Sequence, residues 1–584
     1  MSHESKIFER QPVEIQNLNG FDLSHINTGT AICGKLTPVL RKLLMPGTKF
    51  SLGCAINVEI PPLATNFFGR VDAVIEVFVC PCAILYGGWR QFISNQVATM
   101  FPATQAQVET DGGYALPLIS LWPVGGGSGP VFSAYDYLDD INRGLGDYLG
   151  IRIDKTSIFD VESPLLNMLP FLAYHLIWNT FYRNASVTKT IFAVNPSVYY
   201  STPASVPSGG GQTSLYQKNV SLVWHSFYAE KEYGYSANAT NYRTASNVFD
   251  TLASLTFPDG VSLFEMRQRN WSRGYFTAAS VNPQMGNPSA VGFQVDLNTG
   301  DGEITIAALR AANSLQKWLE AMNYDPTYRG IMRNHFGVSP SDALLDEPSY
   351  VGRVVIPVYQ KSIYQQNDQA GSGSQANPFA GAGDLGSKGA SGSFNGEGDI
   401  CHRYKVGCFA YLMGIFSLVP HAMYPTGIDR EMLAKDIQDF PFPELQGVGM
   451  DNIKNYEVYA LYNQAGGAPS MEDDFAYIPR YSRFKYIEDT CHGEVRWGRT
   501  LQSFVLQRVF NSVPQFSTAF LEIPETQLDQ VFATSVNVSN FSCWYEIYWV
   551  FKLVQPLAAF CVPTLGDIKD THTQYTTQGG SRLA

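Results

Sequence analysis

Apolar and polar positions alternate with a period of two in three stretches far apart along the chain. Phe50, Leu52, Cys54, Ile56, Val58 and Ile60 fall on one side, with Ser51, Gly53, Ala55, Asn57 and Glu59 on the other. Val71, Ala73, Ile75, Val77 and Val79 repeat the pattern, with Asp72 and Glu76 expected to face outward. Near the end, Phe541, Cys543, Tyr545, Ile547, Trp549, Phe551 and Leu553 alternate with Ser542, Glu546 and Lys552. Such alternation predicts strands with one buried face. The run from Val406 to Val419 is apolar on both sides and predicts a strand covered on both faces. Strands this far apart must pair non-locally.

Helical spacing is rarer. Ala308, Ala312, Leu315, Leu319 and Met322 form one stripe, ending before Asp325-Pro326 as proline requires. Leu165 to Phe181 carries a second helical pattern, which Pro170 is expected to break. Two segments predict excursions from the strand framework. Residues 186–262 are rich in Ser, Thr, Asn and Tyr and include Gly-Gly-Gly at 209–211. Residues 366–399 are Gly-, Ser- and Ala-rich and predict a flexible surface loop, because they offer little apolar surface to bury. No internal repeat is present.

Composition sharpens this. At 584 residues, length alone suggests about two to four domains. The chain is only 16% charged yet 13% aromatic, with 51 Gly and 33 Pro. That describes a loop-rich β protein with large contact surfaces. The net charge of −12 means that the overall field does not steer it to nucleic acid, so any such contact is local or helped by cations or a basic partner. The N-terminus lacks an apolar leader, and the longest apolar run is too short to span a bilayer, so no membrane insertion is expected. The nine cysteines, an odd number at irregular spacings, are expected to be reduced and buried.

Catalytic signals are weak. Gly381-Ala382-Gly383-Asp384-Leu385-Gly386 matches a dinucleotide-binding pattern but has no strand before it or helix after it. Cys401-His402, Cys408 and Cys491-His492 lack the spacing of a zinc site. Glu472, Asp473 and Asp474 suit an acidic turn better than a hydrolytic pair or a cation site. The segment Met266–Phe276 is different. It interleaves Arg267, Arg269 and Arg273 with Trp271, Tyr275 and Phe276. Guanidinium groups among rings suit a protein interface, a local scaffold or stacking on nucleic-acid bases.

Blocks along nearly the whole chain carry a resemblance. They include Phe21-Asp22-Leu23-Ser24-His25, Met45-Pro46-Gly47-Thr48-Lys49-Phe50 and Leu169-Pro170-Phe171-Leu172-Ala173-Tyr174-His175. The most specific is Arg267-Gln268-Arg269-Asn270-Trp271 followed by Asn282-Pro283-Gln284; Ala476-Tyr477-Ile478-Pro479-Arg480-Tyr481 comes later. In this order they resemble the major capsid proteins of the Microviridae, in particular the gokushovirus branch. One departure stands out. Only about twenty residues follow Asn282-Pro283-Gln284 before the predicted helix, where the family carries a long insertion forming its threefold protrusion.

The resemblance implies a mainly β chain, residues 1–584, folded as a single eight-stranded antiparallel jelly roll with long inter-strand insertions containing a few helices. It implies a non-enzymatic structural role in the virion: sixty copies, pentamer-based, in a T=1 icosahedral shell around a circular single-stranded DNA genome. Expected partners are a small basic DNA-binding phage protein, a pilot or spike protein and a host surface receptor, with assembly in the bacterial cytoplasm. No cofactor is expected; cations at subunit contacts are the metal role left open. Arg267, Arg269, Trp271, Arg273 and Tyr275 are the candidates for interface or DNA contact. The competing readings are a β-sandwich that binds or cleaves carbohydrate, and a tail or adhesion protein of a larger virus.

Overall fold

The computed structural model of the chain describes residues 18–85, 144–151, 165–188, 265–281, 328–364, 388–460, 472–532 and 541–557 with short breaks, plus isolated positions between them. The strands in chain order are β1 (Asn19–Asp22), β2 (His25–Ala31), β3 (Thr37–Leu44), β4 (Lys49–Glu59), β5 (Arg70–Pro81), β6 (Leu118–Ser120) and β7 (Leu165–Asn167). They continue as β8 (Ser349–Pro357), β9 (Tyr359–Tyr364), β10 (Lys388–Lys405), β11 (Ala410–His421), β12 (Met450–Lys454), β13 (Asp474–Pro479) and β14 (Cys543–Gln555). All their pairings are antiparallel. One sheet runs β1-β14-β4-β10-β9, with β2 also on β14; a second runs β3-β11-β5-β8. The chain is mainly β with few helices, as expected.

The two sheets face each other across one apolar core. β14 realises the alternation read from sequence: Cys543, Tyr545, Ile547, Trp549, Phe551 and Leu553 are buried, while Trp544, Glu546, Tyr548 and Lys552 are exposed. From the opposite sheet Phe416 meets Tyr545 at 5.2 Å between ring centroids. Gly414 lies so close to Leu40 and Trp549 that an added Cβ would come within 2.9 Å of Leu40 Cβ and 3.3 Å of the indole. β11 is buried along its length, as its two-sided pattern required. Leu412, Phe416 and Leu418 enter the sandwich core, while Tyr411, Met413 and Ile415 enter a second cluster beneath the helix Leu169–Ile177.

That helix layer corrects two expectations. Asp72 and Glu76 do not face solvent. Asp72 accepts from Arg70 Nε at 2.8 Å and lies 3.1 Å from His421 Nε2; Glu76 accepts from Tyr182 at 2.6 Å and from Arg269 at 3.0 Å. Alternation marks which residues oppose the core, but it cannot tell whether another layer covers them. Pro170, expected to break the helix, stands at its second position. There a missing N–H is no loss, because the first helical N–H groups have no partner in the helix.

From Lys388 onward the glycine-rich segment is strand, paired to β4 and β9. Its glycines let β10 approach the other sheet: a Cβ on Gly396 would come within 2.4 Å of Ile356, and one on Gly398 within 2.6 Å of Val354. Glycine here signals close approach of backbones rather than looseness. Cysteines 33, 54, 80, 82, 491 and 543 are buried thiols, but Cys401 is half-buried and Cys408 exposed, since the latter sits in the β10–β11 turn. Of the predicted helix at 308–322, residues 310, 314, 315, 317 and 318 are helical. The remainder of that stretch lies outside the described residues, as do 189–264, 365–387 and Cys561. Among the described residues no helix is long and apolar enough to cross a membrane.

Trp549, wholly buried, has an indole N–H without a hydrogen-bond partner among the described residues. Trp549→Ala is expected to destabilise the fold by about 3–5 kcal/mol through the cavity it leaves. Trp549→Phe keeps most of the ring and discards the unpaired donor, so it should cost clearly less. Urea unfolding of both variants checks the order.

Candidate interaction surface

The Arg/aromatic block is threaded between two parts of the chain distant in sequence. Arg269 N donates to Gly34 O at 2.7 Å, and Leu36 N donates to Arg267 O at 3.0 Å. On the other side Ile523 N donates to Arg269 O at 3.0 Å, and Trp271 N to Leu521 O at 2.9 Å. Gly34 has φ +75°, and a Cβ there would sit 2.5 Å from Ile523 O, so glycine permits this three-way crossing.

Four of the five candidate side chains are spent inside the subunit. Arg267, 2% exposed, lies over the Trp178 ring at 4.3 Å and donates to His175 Nδ1 at 2.9 Å. Arg269 donates to Glu76 at 3.0 Å and Ser417 at 2.6 Å, with the Tyr182 ring 5.4 Å away. Trp271 donates its indole N–H to Glu522 O at 3.0 Å and lies 4.8 Å from the Arg508 guanidinium. Tyr275 is held at both ends: its N–H donates to Glu488 at 2.5 Å and its hydroxyl to Glu457 at 3.1 Å. Arg273 alone of the five is exposed.

Arg508, which the sequence reading passed over, anchors the same region. It donates to Tyr424 at 2.7 Å and Phe520 O at 2.5 Å, with the Phe520 ring at 4.2 Å and Phe510 at 5.3 Å. Burial lowers its pKa, opposed by Tyr424. The acidic turn has a structural task. Asp474 accepts from Lys454 at 2.6 Å, Asn452 at 2.8 Å and Tyr477 at 3.0 Å. Partial burial resists the net shift, yet these bonds hold its carboxyl below the usual range. Among the described residues no group of three His, Cys, Asp or Glu side chains is placed to hold a metal ion.

Residues 12–565 match the family of phage capsid proteins described as capsid protein (F protein). The chain belongs to that capsid family. It is 22% identical to capsid protein VP1 of Chlamydia phage 1, over 96% of this chain and 97% of the relative. It is 23% identical to capsid protein VP1 of Bdellovibrio phage phiMH2K, over 96% and 98%. The resemblance to Microviridae capsid proteins therefore holds over nearly the whole length, and the chain is a structural capsid protein of a phage virion.

For a capsid protein the informative surface is the exposed apolar one. Between β11 and β12 stand Ile428, Met432, Leu433, Ile437, Phe440, Phe442 and Leu445, all exposed, with Met432 at 80%. Further on come Phe484, Tyr486 and Ile487, then Trp497 and Leu501; Phe68 lies on the β4–β5 connection. The sequence reading missed these positions because they follow neither period. Their one signal was local: Arg496-Trp497-Gly498-Arg499 combines guanidinium groups and a ring as the 266–276 block does.

Two outcomes follow from the buried charges. Arg269→Met strands Glu76 in a half-dry site and should cost about 3–5 kcal/mol; adding Glu76→Gln should recover much of that. A double-mutant cycle by chemical unfolding reads the coupling. The second concerns Glu457 and Glu488, whose carboxyls burial pushes up from the ordinary 4.5. Hydrogen bonds from Lys454 N and Tyr275 and the charges of Arg430 and Arg483 oppose the shift at Glu457; the Tyr275 and Phe276 N–H groups and Arg508 do so at Glu488. The folded state holds these protons more tightly than the unfolded state. Their contribution to stability is therefore complete below 4.5 and lost as pH rises through the folded pKa. Between about pH 7 and about pH 5 the parent should gain in unfolding midpoint from these two groups, and Glu457→Gln with Glu488→Gln should reduce that gain, read by thermal unfolding at both pH values.

Proposed function

We propose that sixty copies of this chain form a pentamer-based T=1 icosahedral shell around a circular single-stranded DNA genome. In this reading each copy contributes one eight-stranded jelly roll. The sheet order supports it: β2, β14, β4 and β10 form one set and β3, β11, β5 and β8 the other, with successive strands changing sheets at every step but β5 to β8, which pair within one sheet. A jelly roll crosses between two facing sheets in this manner. The exposed part of the chain outside those strands then serves subunit contacts, and the role of the protein is structural rather than catalytic.

The observation that carries the shell reading is the surface between Ile428 and Leu501. Large apolar side chains are exposed there on segments that hydrogen bonds hold in fixed shape. A subunit that stays alone rarely exposes so much. Many moderate contacts repeated around a closed shell become strong together. Arg273 remains a candidate for contact with a neighbour or with DNA. Because each copy is acidic, a small basic phage protein or bound cations would neutralise the phosphates inside. A pilot or spike protein and a host receptor complete the set of partners.

Sedimentation velocity and negative-stain electron microscopy of the purified full chain test this. Pentamers or uniform spherical particles are expected, and a monomer that persists as concentration is raised through the micromolar range would overturn it.

A further inference from the structure

Two exposed patches of the described surface are built differently and carry opposite charge. The first is the arm 428–446. Its exposed apolar side chains accompany exposed Asp429, Glu431 and Glu444 against Lys435. Polar contacts pin it to the subunit. Arg430 lies 3.7 Å from Glu457 and donates to Asn452 O, while within the arm Asp429 Oδ1 caps the turn by accepting from Glu431 N at 2.9 Å. Arg483 donates to Asp439 O, and Phe442 N donates to the Tyr481 hydroxyl at 3.3 Å.

The second patch is the loop 492–504. It exposes Trp497 and Leu501 with Arg496 and Arg499 against one exposed carboxylate, Glu494, which accepts from Thr500 at 2.9 Å, so its balance is positive; Phe68 joins it, stacked on Phe504 at 5.8 Å. Gln507, wholly buried, shapes this loop. Its amide donates to Val495 O at 2.8 Å and Gln502 O at 3.3 Å, and accepts from Trp497 N at 2.7 Å. Gly498, at φ +79°, donates to Gln502 Oε1 at 2.9 Å. The loop is thus pre-organised before any contact, which lowers the ordering cost of binding.

We infer that the two patches are the halves of one contact between copies of this chain: the acidic apolar arm of one subunit seats against the Trp497 loop of the next. This rests on the shell reading. A closed ring of identical subunits needs a head-to-tail contact between two different patches of the same chain. The arm rests on Asn452 and Tyr481 and the loop on Gln507 and Phe68, so each is held in shape by different residues. Arg and Trp are the residues that most often dominate such contacts, here facing carboxylates and uncovered Phe, Met and Ile. Opposite charge fixes the register and disfavours like patches meeting.

The test is a charge exchange in the full chain. Glu431→Arg with Glu444→Arg, and separately Arg496→Glu with Arg499→Glu, should each lower the assembled fraction at least about tenfold. The four substitutions together restore the attraction with its sign reversed and should bring assembly back to within about threefold of the parent. Sedimentation velocity and electron microscopy read the assembled fraction. Thermal unfolding checks that these exposed changes leave the subunit folded. Assembly unaffected by either pair, or not rescued by the combination, overturns the contact. So does a loop pair that lowers packaged DNA while assembly stays intact, which assigns the loop to nucleic acid. A parent that never assembles refutes the shell reading itself, so the two failures are distinguishable.

Discussion

The short crossing of residues 267–271 between Gly34–Leu36 and Leu521–Ile523 is the contact on which the rest of the subunit depends. It joins three regions hundreds of residues apart by backbone hydrogen bonds, and its side chains hold what lies on either side. Arg269 draws Glu76 of β5, Ser417 of β11 and Tyr182 of the helix layer to one point. Trp271 passes the connection to Glu522 and to Arg508, which sits among Tyr424, Phe510 and Phe520. Buried guanidinium groups are expensive to desolvate unless every direction is used. For Arg269 and Arg508, rings on their faces and hydroxyl, carbonyl or carboxylate oxygens at their edges meet that demand.

This arrangement divides the labour in the chain. The sandwich is the part whose stability is local to its core, with Trp549, Phe416 and Tyr545 filling the space between sheets. The excursion between β11 and β14 builds a smaller core together with the 266–276 block, in which Tyr275, Phe276, Phe475 and Phe520 meet. The crossing welds the two. An excursion held this firmly can present apolar side chains to solvent without collapsing onto them, which a subunit destined for neighbours requires.

The same chemistry can face inward or outward. Arg267, Arg269, Trp271 and Tyr275 have the composition of a contact hot spot and serve the subunit's own interior. Arg496, Trp497 and Arg499 have that composition and are exposed. Buried Gln507 behind the latter loop is what keeps it outward, because it satisfies the loop's backbone groups without covering its side chains.

The sequence by itself determined the strands whose two faces differ, because period-two alternation records a difference that each strand carries alone. β4 follows that pattern except at buried Gly53, β14 follows it from Cys543 onward although Ser542 just before it is buried, and two-sided β11 declared its double burial. It also determined the family, through ordered blocks that no single strand explains. Only the tertiary structure decided what covers the second face of β5, so Asp72 and Glu76 looked solvated and are not. Only it decided that glycines 396 and 398 serve close approach between sheets, since that depends on Ile356 and Val354 across the gap. And only it told the buried Arg/aromatic block from the exposed one. Composition fixes what a side chain can bind, but whether it meets its own chain or another is set by packing between residues hundreds of positions apart.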